Sequence, residues 1–197
     1  MTSRQTNKTS SGSCSIVTLL AKRSIVLVGL MGCGKSSVGR RLAARIDIPF
    51  VDADEEIERA AGKTISEIFA DYGEAHFRDR ECKIIGRLLE ENGPQVLATG
   101  GGAFMRLETR QAIARHGISV WLKAELSVLM GRVSRREGRP LLNTNDPLVT
   151  MQKLMAERYP VYKRADLIVE SRNGSHDEVV HAIMSKMTHY LEIEGQS

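Results

Sequence analysis

Gly29, Gly34, Lys35 and Ser36 stand at the spacing G-x4-G-K-S within Gly29-Leu30-Met31-Gly32-Cys33-Gly34-Lys35-Ser36. Glycines at these positions let successive backbone N–H groups turn inward around phosphate oxygens, and the N-terminus of a following helix adds partial positive charge. A lysine there bridges the outer phosphates of a nucleoside triphosphate, and the serine hydroxyl ligates a divalent cation. A chance glycine-rich turn would need neither a buried strand before it nor a helix after it. Both are indicated here, so the segment reads as a phosphate loop.

Other polar residues could face an acceptor. Asp52 and Asp54 close a short apolar run, and the carboxyl ends of strands form the ligand crevice of α/β sheets. Alternation along an extended chain would send the two carboxylates to different sides. One could then hold Mg²⁺ through water while the other faces a hydroxyl; equally, both could be caps of the helix from Glu55, with Asp54 an adequate N-cap. Gly73-Glu74-Ala75-His76-Phe77-Arg78 puts a cation and an aromatic at the start of a helix. Thr99-Gly100-Gly101-Gly102 follows a strand, and three consecutive glycines allow very close approach of backbone to ligand. Arg132, Arg135, Arg136 and Arg139 crowd the irregular stretch from Ser134 to Pro147. Such a stretch can close as a lid over a transferring phosphoryl group. Arg135 and Arg136 suit a solvated charge run, whereas Arg139 sits in the compact string Gly138-Arg139-Pro140-Leu141-Leu142.

The elements that must position these residues follow from hydrophobic period. Ile25–Val28 is a continuous apolar run, as a strand buried on both faces should be. Further strands are predicted at Pro49–Val51, Gln95–Ala98, Ile118–Leu122 and Leu167–Val169. Helices are predicted at Lys35–Ile46, Glu55–Ala61, Ile65–Tyr72, Glu74–Glu91, Leu107–His116, Glu125–Val133, Pro147–Tyr162 and Ser175–Ile193. Five strands alternating with helices imply an α/β fold, a parallel sheet covered on both faces in a three-layer α/β/α arrangement.

The chain has 197 residues, a length that suits one domain, and its composition is that of an ordinary globular protein. The domain is expected over residues 21–197, with the lid at about 134–147. Residues 1–20 are rich in Ser and Thr, have no acids, and read as a disordered extension. An organelle transit peptide would look similar but longer, and the apolar stretch from Ile16 to Ala21 is too short for a secretory signal. Residues 1–24 carry Arg4, Lys8, Lys22 and Arg23, leaving 24 bases against 24 acids in the remainder. The net charge of +4 therefore belongs to the tail, which argues against a nucleic-acid partner. No apolar run approaches the length of a membrane span. Cys14, Cys33 and Cys82 are scattered and odd in number, which fits a reducing cytoplasm better than a disulfide framework or a zinc site. His176, His181 and His189 have spacings that suit a solvated helix better than metal ligation. Cys33, close to Lys35, could be a reactive thiol or simply a small loop residue.

Taken in order, GLMGCGKSSVGRRLA, FVDADEEIE, GKTISEIFADYGEAHFRDRE, TGGGA, GRPLL and ERYPVYKRAD resemble the shikimate kinase family. That family belongs to the nucleoside-monophosphate-kinase-like P-loop NTPases, and the resemblance runs from Ile25 to about Val169. It implies an ATP-dependent transfer to the 3-hydroxyl of shikimate. Gly32, Cys33, Gly34, Lys35, Ser36 and Ser37 would contact ATP. Ser36 would take Mg²⁺, with Asp52 in its outer shell. Asp54 would contact the acceptor hydroxyls, and Arg78 and Arg158 the shikimate carboxylate, with Gly101 and Gly102 lending backbone. Arg139 would be the lid arginine on the phosphates and Arg132 an adenine-side contact. A second ATP-side arginine is usual after the last strand, and Ser171-Arg172-Asn173 is not a clean match for it. Lys35, Asp54 and Arg139 would carry catalysis in a cytoplasmic monomer acting on small molecules. Gluconate or another small hydroxy acid is the rival acceptor, and a catalytically silent P-loop regulator the rival class.

Overall fold

Strand β1 (Ser24–Val28) is buried at every position. It is central in a sheet whose other strands are β2 (Phe50–Asp52), β3 (Val96–Ala98), β4 (Gly117–Lys123) and β5 (Leu167–Glu170). The computed structural model describes residues 11–134 and 146–195. All pairings are parallel, in the order β2-β3-β1-β4-β5. The register aligns Leu27 and Asp52 with Ala98, and Val28 with Trp121. The segments after Val28, Asp52 and Ala98 therefore leave the sheet along one edge. Strand order reverses direction at β1, where a ligand crevice is expected in an open α/β sheet.

The helices are α1 (Ser11–Leu20), α2 (Lys35–Ile46), α3 (Ala53–Ala61), α4 (Ile65–Glu91), α5 (Leu107–His116), α6 (Leu126–Val133), α7 (Pro147–Tyr162) and α8 (His176–Glu194). In α2 the buried residues Val38, Leu42, Ala43 and Ile46 recur at helical spacing and form the face laid on the sheet. A short 3₁₀ turn at Ala103–Met105, not anticipated from sequence, follows the glycine run. The two helices predicted on either side of Gly73 form one long element, α4, broken at that residue. Gly73 has φ 78° and ψ 171°, a conformation glycine takes at little cost. Thr64 and Glu67 start α4 with a reciprocal capping box. Across the break, Ile57 of α3 packs with Ile68 and Phe77 of α4 in a small second core, which fixes the half of α4 that carries Arg78.

The expected disordered extension must be corrected for its second half. Residues 11–20 form α1, which packs on α2 and α8, and Ile16 and Leu20 are buried. Their apolar side chains in an otherwise Ser/Thr-rich stretch are the cause. Burial of each contributes about 1.5–3 kcal/mol, offset in part by the entropy of ordering the segment. Deleting residues 1–20 is therefore expected to lower Tm by roughly 3–10 °C; an unchanged melting curve would show that α1 adds nothing to the core. Among the described residues no helix is long and apolar enough to cross a membrane.

Candidate active site

The phosphate loop connects β1 to α2, with Gly29, Gly32 and Gly34 all at positive φ. At Gly32 the need for glycine is also spatial: a Cβ there would stand 2.8 Å from Val133 Cγ2 and 3.1 Å from the Leu129 carbonyl oxygen on α6. Carbonyls on the outer side of the loop are occupied. Arg132 Nη1 donates to the carbonyls of Gly32 (3.3 Å) and Cys33 (3.4 Å), and Ser171 Oγ donates to Cys33 O at 2.8 Å. Lys35 Nζ donates to the carbonyls of Gly29 (2.8 Å) and Leu30 (3.0 Å). A cavity of about 660 Å³ opens beside the loop, and Gly32, Gly34, Lys35, Ser36 and Ser37 line it. Cys33 does not. Its side chain is 1% exposed, with Sγ 3.8 Å from Lys35 Nζ.

Asp52 and Asp54 line the same cavity rather than pointing apart. The strand ends at Asp52, and α3 begins at Ala53, so strand alternation does not reach Asp54. Asp52 is itself the N-cap of α3, accepting from the Asp54 N–H at 3.1 Å. Its other oxygen, Oδ2, accepts from Ser36 Oγ at 2.6 Å. Cap and loop partner are thus the same carboxylate, and Asp54 falls in the first helical turn instead of at the cap. Asp54 Oδ1 is buried and has no hydrogen-bond partner among the described residues. Burial, then the charges of Asp52 and Glu81, push its pKa up to about 6, against the opposing pull of Lys35 and Arg78.

The three glycines after β3 each face a different functional group. A Cβ on Gly100 would collide with Glu81 and come within 2.9 Å of Asp54 Oδ1. One on Gly102 would collide with the Arg78 guanidinium, and one on Gly101 would lie 3.6 Å from Arg158 Nη1. Gly101 and Thr99 line the cavity, and Arg158 and Arg78 approach the glycine run at Gly101 and Gly102. Arg78 is held by Glu74 (3.0 Å) and Glu81 (2.8 Å), four residues before and three after it on α4. Arg158, on α7, is 6% exposed, and its Nε and Nη1 have no hydrogen-bond partner among the described residues. A buried guanidinium with two unused donors is costly unless an anion meets it.

Two contributors were missed in the sequence. Glu81 is 1% exposed, and burial raises its pKa despite the nearby Arg78. One of its oxygens holds Arg78 while Oε1 has no hydrogen-bond partner among the described residues. The i,i+3 spacing in Arg78-Asp79-Arg80-Glu81 was the available signal. Tyr162, fully buried, donates to the Gly101 carbonyl and fixes the middle glycine; a tyrosine in an apolar helix face gives no such hint. Arg139 and the greater part of the lid lie outside the described residues.

The shikimate kinase family model matches residues 31–188. The chain is 57% identical to the shikimate kinase of Bradyrhizobium diazoefficiens over 176 residues, 89% of this chain and 84% of that one. The chain belongs to the shikimate kinase family. It is also 46% identical over 194 residues to the Mesorhizobium japonicum shikimate kinase, covering 98% of this chain and 95% of that protein. The structure of Acinetobacter baumannii shikimate kinase in complex with shikimate superposes with a TM-score of 0.83 at 34% identity, over 88% of this chain and 97% of that one. The resemblance carried by the motifs is thereby borne out, as is the fold: a parallel α/β P-loop protein. Membership of the shikimate kinase family makes the chain an ATP-dependent kinase.

Proposed function

We propose that this chain transfers the γ-phosphoryl group of ATP to the 3-hydroxyl of shikimate, giving shikimate 3-phosphate and ADP, in aromatic amino acid biosynthesis. The observation that carries the acceptor's class is Arg158: buried, with two unused donors, and within reach of the glycine run beside Asp54. A planar guanidinium so placed suits a carboxylate, and Asp54 with its unused oxygen suits a hydroxyl.

In this reading Arg158 and Arg78 hold the carboxylate, with Gly101 and Gly102 giving close backbone approach. That leaves the ring hydroxyls toward Asp54. Loop N–H groups from Gly32 to Ser37 hold the triphosphate, and Lys35 leaves the Gly29 and Leu30 carbonyls to meet the outer phosphates. The hydroxyl oxygen bonds to the γ-phosphorus as the bond to the β,γ-bridging oxygen breaks. The hydroxyl proton passes to Asp54, and ADP departs with the bridging oxygen. The transition state is loose, so positioning and charge neutralisation dominate. Arg139 is assigned the lid contact to the phosphates.

The residues present also fit Mg²⁺. Ser36 Oγ and the Asp52 carboxylate are hard oxygen donors 2.6 Å apart at the cavity wall. With its hydrogen directed at Asp52, the serine keeps lone-pair density for a cation. Few protein ligands, completed by phosphates and water, is the usual arrangement for this ion. Mg²⁺ would shield phosphate charge during transfer. We assign the chain to the cytoplasm, as a monomer acting on small molecules and not on nucleic acid.

A coupled ADP-release assay tests the reaction. Shikimate is expected to support turnover and gluconate is not; ADP release with gluconate alone would replace the proposed acceptor. Arg158→Ala is expected to raise the KM for shikimate about 10- to 100-fold, the worth of a charge-assisted hydrogen bond pair, with the KM for ATP near normal. A normal KM for shikimate in that variant would remove Arg158 from the carboxylate site.

A further inference from the structure

Each carbonyl of the glycine run is engaged. Gly100 O accepts from the Ala103 N–H at 3.2 Å and Gly102 O from the Met105 N–H at 3.0 Å, so both are tied into the 3₁₀ turn. The middle carbonyl, Gly101 O, has a different kind of partner: the Tyr162 hydroxyl at the end of α7. Arg158 lies one helical turn earlier on α7, so one helix face sends a guanidinium and a hydroxyl to the same glycine. A Cβ added to Gly101 would lie 3.6 Å from Arg158 Nη1 and 3.5 Å from the Met31 nitrogen of the phosphate loop. Gly101 thus stands between the donor loop and an acceptor arginine.

The peptide between Gly101 and Gly102 has glycine on both sides, so no Cβ opposes its rotation as a unit. Beside it, Arg158 keeps Nε and Nη1 without a hydrogen-bond partner among the described residues. A buried donor without a partner is costly and draws any acceptor within reach. The Gly101 carbonyl, once released, is such an acceptor. Tyr162 prevents its release. It is 0% exposed, and its ring packs against Trp121 and Phe104 with centroids 5.7 and 6.3 Å away, so the hydroxyl has a fixed direction. Burial raises its pKa against the opposing charge of Arg158, which keeps the hydroxyl a donor near neutral pH.

We propose that Tyr162 is a positioning residue for the acceptor: its hydroxyl holds the Gly101 carbonyl away from Arg158, so that the guanidinium stays free for the acceptor's carboxylate. This rests on the reading of Arg158 as the carboxylate site. Without the hydroxyl, the Gly101 carbonyl faces an apolar ring. The peptide then turns toward Arg158 and fills the acceptor site with the protein's own oxygen.

Tyr162→Phe removes one oxygen and keeps the ring. It is expected to raise the KM for shikimate about 3- to 30-fold, the effect of one lost hydrogen bond and a released buried carbonyl. The KM for ATP, and kcat at saturating shikimate, should change much less. Because Tyr162 acts through Arg158, adding Tyr162→Phe to Arg158→Ala should raise the KM for shikimate no further. A hydroxyl that served packing alone would give losses that multiply. In ligand-free protein labelled with ¹⁵N-glycine, Tyr162→Phe should also displace the Gly102 amide resonance, since that amide belongs to the peptide that turns. An unchanged KM for shikimate would overturn the proposal, as would multiplying losses, an equal rise in the KM for ATP, or an unmoved Gly102 resonance. Absence of shikimate-dependent ADP release from the parent chain would instead sink the proposed reaction, and the Gly102 resonance would still decide whether Tyr162 holds the peptide.

Discussion

Asp54→Asn is expected to reduce kcat by two to four orders of magnitude, the range for removing a positioned acid–base group, and to raise the melting temperature of the ligand-free protein at pH 8. The two effects share one cause. Asp54 is buried beside two other carboxylates, and its pKa is raised from 3.8 to about 6. A carboxyl whose folded pKa exceeds its unfolded value binds protons more tightly in the native state. Stability is therefore greater below about pH 4 and falls as pH rises through 6, where the folded protein must carry the unfavourable anion. Asparagine removes that charge. The gain at pH 8 is at most about 3 kcal/mol by the size of the shift, and less where water reaches the carboxylate. It should shrink toward pH 4, where native Asp54 is already neutral. Calorimetric melting of both proteins at pH 4, 6 and 8 reads this directly. A gain of equal size at all three values would mean that Asp54 is not the group responsible. Phosphate-bound Mg²⁺ and Lys35 would bring the compensating positive charge when donor is bound.

Much of this arrangement was legible in the sequence because it is local. The phosphate loop is a contiguous string between a buried strand and a helix, and its glycines take the positive φ that string implies. The parallel sheet followed from alternation of apolar runs with helical stretches, and strand boundaries moved by only a residue or two. What escaped was long-range or depended on one local geometry. Asp54 read as a strand-end residue or a cap because the strand was assumed to continue. The chain turns helical at Ala53, which makes Asp52 the cap and swings Asp54 into the cavity with it. The glycine run was read as close approach to ligand. The packing of that run against Glu81, Arg78 and Arg158, brought in from α4 and α7, is long-range, and nothing in Thr99–Gly102 names those groups. α1 was hidden by composition, since Ser and Thr dominate the stretch in which Ile16 and Leu20 are buried.

Lys35→Ala is expected to lower kcat by two to three orders of magnitude or more, as when a preorganised donor to developing charge is removed, with the fold retained. Among the described residues, Lys35 Nζ is held only by the carbonyls of Gly29 and Leu30 and by a long contact to Cys33 Sγ. A compact ammonium can leave such partners for phosphate oxygens. A guanidinium is larger and planar, so Lys35→Arg should not restore activity. The same ammonium lowers the pKa of Asp54, against burial and the neighbouring acids. Removing it withdraws a stabilising positive charge from the anion, so the Asp54 pKa must move above about 6. The residual activity of Lys35→Ala should therefore show its acid limb at higher pH than the parent chain, measured as kcat/KM for shikimate between pH 5 and 9. Lys35→Met should show the same displacement, since it too lacks the charge. A residual profile with the parent's acid limb would separate the two residues and confine Lys35 to phosphate binding. A displaced limb would show that the loop lysine serves donor and acceptor together, through the ionisation of the carboxylate that faces the hydroxyl.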